Sequence, residues 1–121
     1  MKRDFDLIRR IMTDIERMPA GEQYSDISYL TDYDSATVYH HIALLIDEGL
    51  LIGNVVKLNR GIGGVLVTGL TWKGHDFLDA ARNDSIWGKA KDTILKPTVS
   101  FTFDLLLQWL KNEAKQRLGL P

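Results

Sequence analysis

Apolar residues recur at three- and four-residue spacing from Asp4 to Met18, where Phe5, Ile8, Ile11, Met12 and Ile15 share a face against Arg9, Arg10, Asp14, Glu16 and Arg17. The spacing predicts an amphipathic first helix, ended by Pro19 and Gly21. Ser25 or Asp26 can cap a short second helix through Leu30, with Ile27 and Leu30 as its apolar pair. Thr31, Asp32 and Tyr33 form a tight connection. Asp34 or Ser35 then opens a third helix to about Glu48, with Val38, Ile42, Leu45 and Ile46, and His41 beside them, on its buried stripe. Gly49 stands where a left-handed C-cap belongs.

Beyond Gly49 the period turns strand-like. Leu51 to Leu58 and Val65 to Leu70 are rich in aliphatic and β-branched residues, and Asn59 to Gly64 between them makes a flexible, glycine-rich tip. Helical spacing returns from Thr71 to Arg82, is interrupted at Asn83 and Asp84, and resumes through Ile86, Trp87, Ala90 and Ile94 until Pro97. A last helix is predicted from Ser100 to Leu118. Its apolar face is wider than one stripe needs, so Phe103, Leu106, Leu107, Trp109 and Leu110 are expected to serve in part as a homodimer interface.

The predicted class is mainly α with a small β-hairpin. The order of elements is that of a winged helix-turn-helix over residues 1–74, with a helical extension over 75–121 packed on it as a single domain. With 121 residues, 45% of them hydrophobic, the chain can bury a core without metal or disulfide support, and it contains no cysteine. No apolar run reaches the roughly 20 residues of a membrane span, and the chain opens on alternating charges rather than a signal peptide. A cytoplasmic location without membrane association is expected. The formal net charge of −1 means that any contact with nucleic acid must come from local asymmetry of charge.

Three blocks, MKRDFDLIRRIM, YHHIALLIDEGLLIG and LTWKGHDFLDAARNDSIWGKAK, together resemble the bacterial and phage family known as domain of unknown function 2513, over nearly the whole chain. The resemblance implies a small prokaryotic or prophage winged-helix protein and carries no established chemistry. More loosely, Ser35 to Leu51 is similar to the recognition helix of arsenic-repressor-type regulators, through Ser35, Ala36, Thr37, Val38, Tyr39, His40, His41 and Ile42, then Gly49 and Leu50. It departs from them at Ala43 and Ile46, where those regulators commonly carry basic side chains.

If the third helix reads DNA, the outward positions are Ser35, Ala36, Thr37, Tyr39 and His40, since Val38, Ile42 and Leu45 point inward. Lys57, Arg60 and Lys73 would hold the phosphates, because no acidic residue lies between Gly49 and His75. Lys2, Arg3, Arg9 and Arg10 could extend that patch, with Asp4 and Asp6 among them. The alternative is a packing helix with ordinary solvated charges around it. No metal site is expected: His40 and His41 point about 100° apart on a helix, and His75 is read as bracing the hairpin against the next helix.

Asp76, Asp79 and Asp84 have the spacing of a solvated face, and no nucleophile with a paired base stands out, so neither enzymatic activity nor a cofactor is expected. Gly61, Gly63 and Gly64 lie between strands rather than before a helix, which argues against a phosphate loop. Trp72, Trp87 and Trp109 are read as core or interface anchors. Two functions remain open at this level: a DNA-binding transcriptional regulator, or a protein-interaction module such as a phage accessory factor engaging a host protein. The second draws on near-neutral charge and on Asp32, Asp34, Asp47 and Glu48, which would repel phosphates they faced.

Overall fold

The computed structural model describes residues 1–119. Leu120 and Pro121, the last two residues of the predicted extension, lie outside the described residues. Among the described residues the chain is mixed α and β: five helices and one two-stranded antiparallel hairpin in the order α1, α2, β1, β2, α3, α4, α5. It divides into two units, Met1–His75 and the chain from Asp76 onward.

In the first unit α1 spans Phe5–Glu16, and the Asp4 carboxylate caps it by accepting from the Leu7 N–H at 3.0 Å. Leu7, Ile8, Ile11, Met12 and Ile15 are buried, so four of the five predicted stripe positions pack inward, while Phe5 is half-buried and Leu7 joins them. Gly21 then takes a positive φ of 89°.

The predicted second helix does not form. Asp26 instead accepts from the amide and hydroxyl of Ser28, and the Leu30 and Tyr33 amides bond to carbonyls only three residues back, at Ile27 and Leu30. A segment this short gains too few hydrogen bonds to offset helix nucleation, and the Asp26 side chain competes for the amides a first turn would use. Ile27 and Leu30 are buried from these turns. Just before them, Tyr24 makes an antiparallel bridge to Val67 with bonds of 2.8 and 2.9 Å.

Helix α2 spans Ser35–Asp47, and Asp34 accepts from the Thr37 N–H at 2.8 Å. Gly49, at φ 80°, ends it as the glycine signal predicts, with the Leu50 N–H reaching back to the Leu45 carbonyl at 2.9 Å. β1 (Leu51–Leu58) pairs with β2 (Gly61–Leu70). The connection is therefore only Asn59 and Arg60, tighter than the predicted six-residue tip, because Gly61 at φ 116° lets β2 begin at once.

Two register shifts leave Gly63 and Thr68 as extra residues on β2. A Cβ on Gly53 would sit 2.4 Å from the Leu66 carbonyl oxygen, so the strands approach there as only glycine allows. Leu51, Val65, Val67 and Leu70 face the core, whereas Ile52, Val56, Leu58 and Leu66 are exposed.

Helix α3 (Trp72–Ala81) opens where the Thr71 hydroxyl accepts from the Gly74 N–H at 3.0 Å and donates to the Gly49 carbonyl. The second unit adds α4 (Asp84–Asp92), capped by Asn83, and α5 (Phe103–Arg117), capped by Thr102. α4 stops short of Ile94 because Thr93 leaves helical geometry, at φ −122° and ψ −90°. Phe77 packs edge-on against Trp87 at 6.3 Å and lies 5.2 Å from Phe103. Ile86, Leu106, Leu107 and Leu110 are also buried. Lys89 to Glu113 at 2.9 Å and Lys111 to Asp76 at 3.5 Å lie in the same unit. Among the described residues no helix is long and apolar enough to cross a membrane.

Candidate nucleic-acid interface

The outward face of α2 is fixed by what its other face buries. Val38, Ile42 and Leu45 are packed inward together with His41, which has no exposed surface. Ser35, Ala36 and His40 are exposed and Thr37 and Tyr39 half-buried, so the five predicted contact positions sit together on the first turns of one helix. Helix periodicity produces this division without any special residue.

His41 locks that helix in place. Its Nε2 accepts from the Asp4 N–H at 2.8 Å, which puts the ring proton on Nδ1, and Nδ1 lies 2.8 Å from the Thr37 carbonyl it then donates to. One imidazole thus ties the entry of α1 to the second turn of α2. The sequence places His41 beside the buried stripe but gives no sign of its partner, since Asp4 is 37 residues away.

Asp34 supports the same end of α2. Hydrogen bonds from Thr37, its hydroxyl first and its amide second, hold the Asp34 carboxyl below the usual carboxylate range. Asp34 and Asp32 are both exposed next to Ser35, so negative charge borders the outward face.

Lys57 and Arg60 are exposed at the far end of the hairpin, and neither is drawn into an ion pair among the described residues. Lys73 does not belong with them. Its ammonium lies 3.1 Å from Glu48 Oε1 and 3.3 Å from the Glu48 carbonyl oxygen, at the C-terminal end of α2. The 13 residues of α2 put that end about 20 Å from Ser35. The acid-free stretch in sequence is therefore not acid-free in space, because the helix end brings Glu48 back to it.

The N-terminal arginines also have local partners. Arg3 lies over the Phe5 ring at 5.3 Å, and Arg10 lies over the Tyr29 ring at 5.7 Å and 4.0 Å from Asp14. Tyr29 donates to Asp14 at 2.6 Å and shares a 2.8 Å hydrogen bond with Tyr24. Burial, then the bonds to Asp14 and Tyr24, push the Tyr29 phenol well above its ordinary range. Burial likewise raises Tyr24. This network pins the turns that replace the predicted second helix, and nothing in the spacing of Asp14, Tyr24 and Tyr29 announces it.

The remaining predicted positions separate. Phe103, Leu106, Leu107 and Leu110 are buried within the chain and Trp109 is half-buried, so the expected dimer face of α5 is not at the surface. The wide apolar face of α5 is used for packing, which leaves Leu105 as its large exposed aliphatic within the first two turns. His75 Nδ1 lies 3.8 Å from Glu16 Oε2 of α1, a neighbour that the spacing does not announce. Trp87 is a core residue, while Trp72 is 89% exposed. Among the described residues no three His, Asp or Glu side chains are grouped to hold a metal.

Comparison with known proteins gives a consistent family and no function. The model of the family described as "Hypothetical protein (DUF2513)" matches residues 2–100. The chain is 33% identical over 120 residues to an uncharacterized protein of Haemophilus influenzae, covering 98% of this chain and 100% of that protein. No solved structure matches it. The likeness of Ser35 to Leu51 to arsenic-repressor-type regulators rests on the sequence alone.

Proposed function

The chain belongs to the DUF2513 family, and we propose that it is a winged-helix protein that binds duplex DNA as a transcriptional regulator in a bacterium or prophage. In this reading α2 enters the major groove and the hairpin is the wing on the phosphate backbone. The observation that carries the reading is the pair of surfaces on one unit: the exposed turns of α2 at Ser35, Ala36 and His40, and the hairpin tip with Lys57 and Arg60 outside any ion pair among the described residues. The bridge from Tyr24 to Val67 adds a short third segment beside the hairpin, and α1 and α2 supply the helical side. The segment before α2 is a set of turns, so the helix-turn-helix is reduced to its second helix.

Base reading would fall to the Thr37 and Tyr39 hydroxyls, the His40 imidazole and the Ala36 methyl group, none of which makes a bidentate contact like that of arginine with guanine. Affinity would therefore weigh on the backbone. In anisotropy titrations on genomic duplex fragments, Lys57→Ala with Arg60→Ala is expected to weaken binding evenly across sequences and to lower the salt slope by about two. His40→Ala is expected to change sequence preference instead. Absence of duplex binding at low salt would overturn the reading.

A second reading, a module that engages a host protein without DNA, has its own observation: exposed Asp32 and Asp34 border the face that would meet phosphates, and Lys73 is neutralised by Glu48. A stoichiometric protein partner with no retained nucleic acid would favour it.

A further inference from the structure

A strand of a two-stranded sheet pairs on one side and leaves its other edge as a row of N–H and C=O groups. The two edges of this hairpin differ. On β2 the free edge is engaged at Val67 by Tyr24, whereas among the described residues no backbone hydrogen bond reaches β1 from any element but β2. β1 itself is guarded only lightly: the extra residues of both bulges lie on β2, and LIGNVVKL has no proline and a single charge, Lys57. Its outward side chains Ile52, Val56 and Leu58 are 53%, 53% and 62% exposed.

We propose that a second copy of this chain occupies that edge, its β1 lying antiparallel to the first about a two-fold axis at Val55, so that two hairpins join as a four-stranded sheet. The register follows from the strand itself. Side chains that share a face must be opposed, and pairing about Val55 sets Ile52 against the partner's Leu58 and Asn54 against the partner's Val56. Charge favours the same register. Each Lys57 faces the partner's Gly53, which has no side chain, and the two ammonium groups stand four residues apart along the strand, about 13 Å. That exceeds a Debye length of about 8 Å at physiological salt. A two-fold at Lys57 would set the two charges directly opposite one another.

The size of the contact sets its strength. One eight-residue edge with three aliphatic side chains falls well below the roughly 800 Å² per partner of a standard interface, so the dimer is weak and builds up with concentration. The inference does not depend on duplex binding, and it takes the place of the α5 face, where Phe103, Leu106, Leu107 and Leu110 are buried, as the route to a homodimer.

Sedimentation equilibrium on the full chain from micromolar to millimolar concentration tests it. The mass is expected to rise toward that of a dimer, and Val56→Lys, which brings four cations along the paired strands, is expected to weaken association at least tenfold with an unchanged circular dichroism spectrum. Because the chain has no cysteine, Val55→Cys gives a single thiol per copy. In the proposed register these thiols face each other across Cα atoms about 5.5 Å apart, within disulfide reach. Mild oxidation is expected to give a covalent dimer from Val55→Cys and not from Leu105→Cys on α5. A monomer mass throughout the range, or efficient cross-linking through Leu105→Cys instead, would overturn the proposal.

Discussion

Helices α2 and α5 are close in length, 13 and 15 residues, and both carry more aliphatic side chains than one narrow stripe requires. They use them differently. α5 buries Phe103, Leu106, Leu107 and Leu110, so its surplus goes into packing. α2 buries three aliphatics and a histidine, and its first turn presents Ser35 and Ala36 to solvent. An apolar surplus thus measures how much packing a helix needs. A candidate contact face is marked better by what fixes a helix's exposed turn, here a carboxylate cap and a buried imidazole.

The largest effect should separate the inner and outer faces of α5. Leu106→Ala and Leu110→Ala remove fully buried side chains and are expected to cost about 2–5 kcal/mol each, while Leu105→Ala, at a 55% exposed position, should stay within about 0.5 kcal/mol. Urea denaturation of the full chain reads all three. Equal losses at Leu105 and Leu106 would break the contrast, because α5 would then owe its stability to a contact on its outer face.

On α2 the informative neighbours are His40 and His41. His41→Ala leaves the Asp4 N–H without its acceptor in a partly buried setting and is expected to cost about 1–3 kcal/mol, plus the void left by the ring. His40→Ala should leave stability within about 0.5 kcal/mol and, on the proposed DNA-binding reading, change sequence preference alone. Adjacent residues with opposite phenotypes would sharpen the division between the locking and outward faces of α2. If His40→Ala destabilised as much as His41→Ala, the outward assignment would fail.

The legibility of these features tracks the range of the interactions behind them. α1, α2, the hairpin and the breaks at Asn83 and Gly49 are written locally, in apolar period, caps and glycines, and the structure keeps all of them. The helix read over Ser25 to Leu30 fails because its two apolar residues stay buried from a chain of turns just as well, and apolar spacing alone does not separate the two. The site shows the same limit. Which side of α2 faces outward follows from periodicity, but the Asp4 to His41 bond, the Tyr24 to Val67 bridge and the neutralisation of Lys73 by Glu48 join residues 25 to 43 positions apart. Lys73 is the instructive case: a run without acids in sequence says nothing about which acid the chain folds back beside it.

The smallest expected effect concerns the caps that start the two helices, a carboxylate on α2 and a hydroxyl on α5. Asp34 is held below the ordinary carboxyl value by its bonds from Thr37, so the folded chain prefers its charged form. A depressed folded value means that this contribution is fully present above the unfolded carboxyl value of 3.8 and is lost as pH falls through the lower folded value. Asp34→Asn keeps a capping oxygen that does not titrate, so the stability gap between wild type and this variant should hold from pH 7 to about pH 5 and close below about pH 3.8. Thr102→Ser exchanges one hydroxyl cap for another, and its gap should stay level across the same range. Denaturation curves at successive pH values read both. A gap for Asp34→Asn that ignored pH would mean that the charge of the cap contributes nothing and that its capping oxygen alone holds the start of α2.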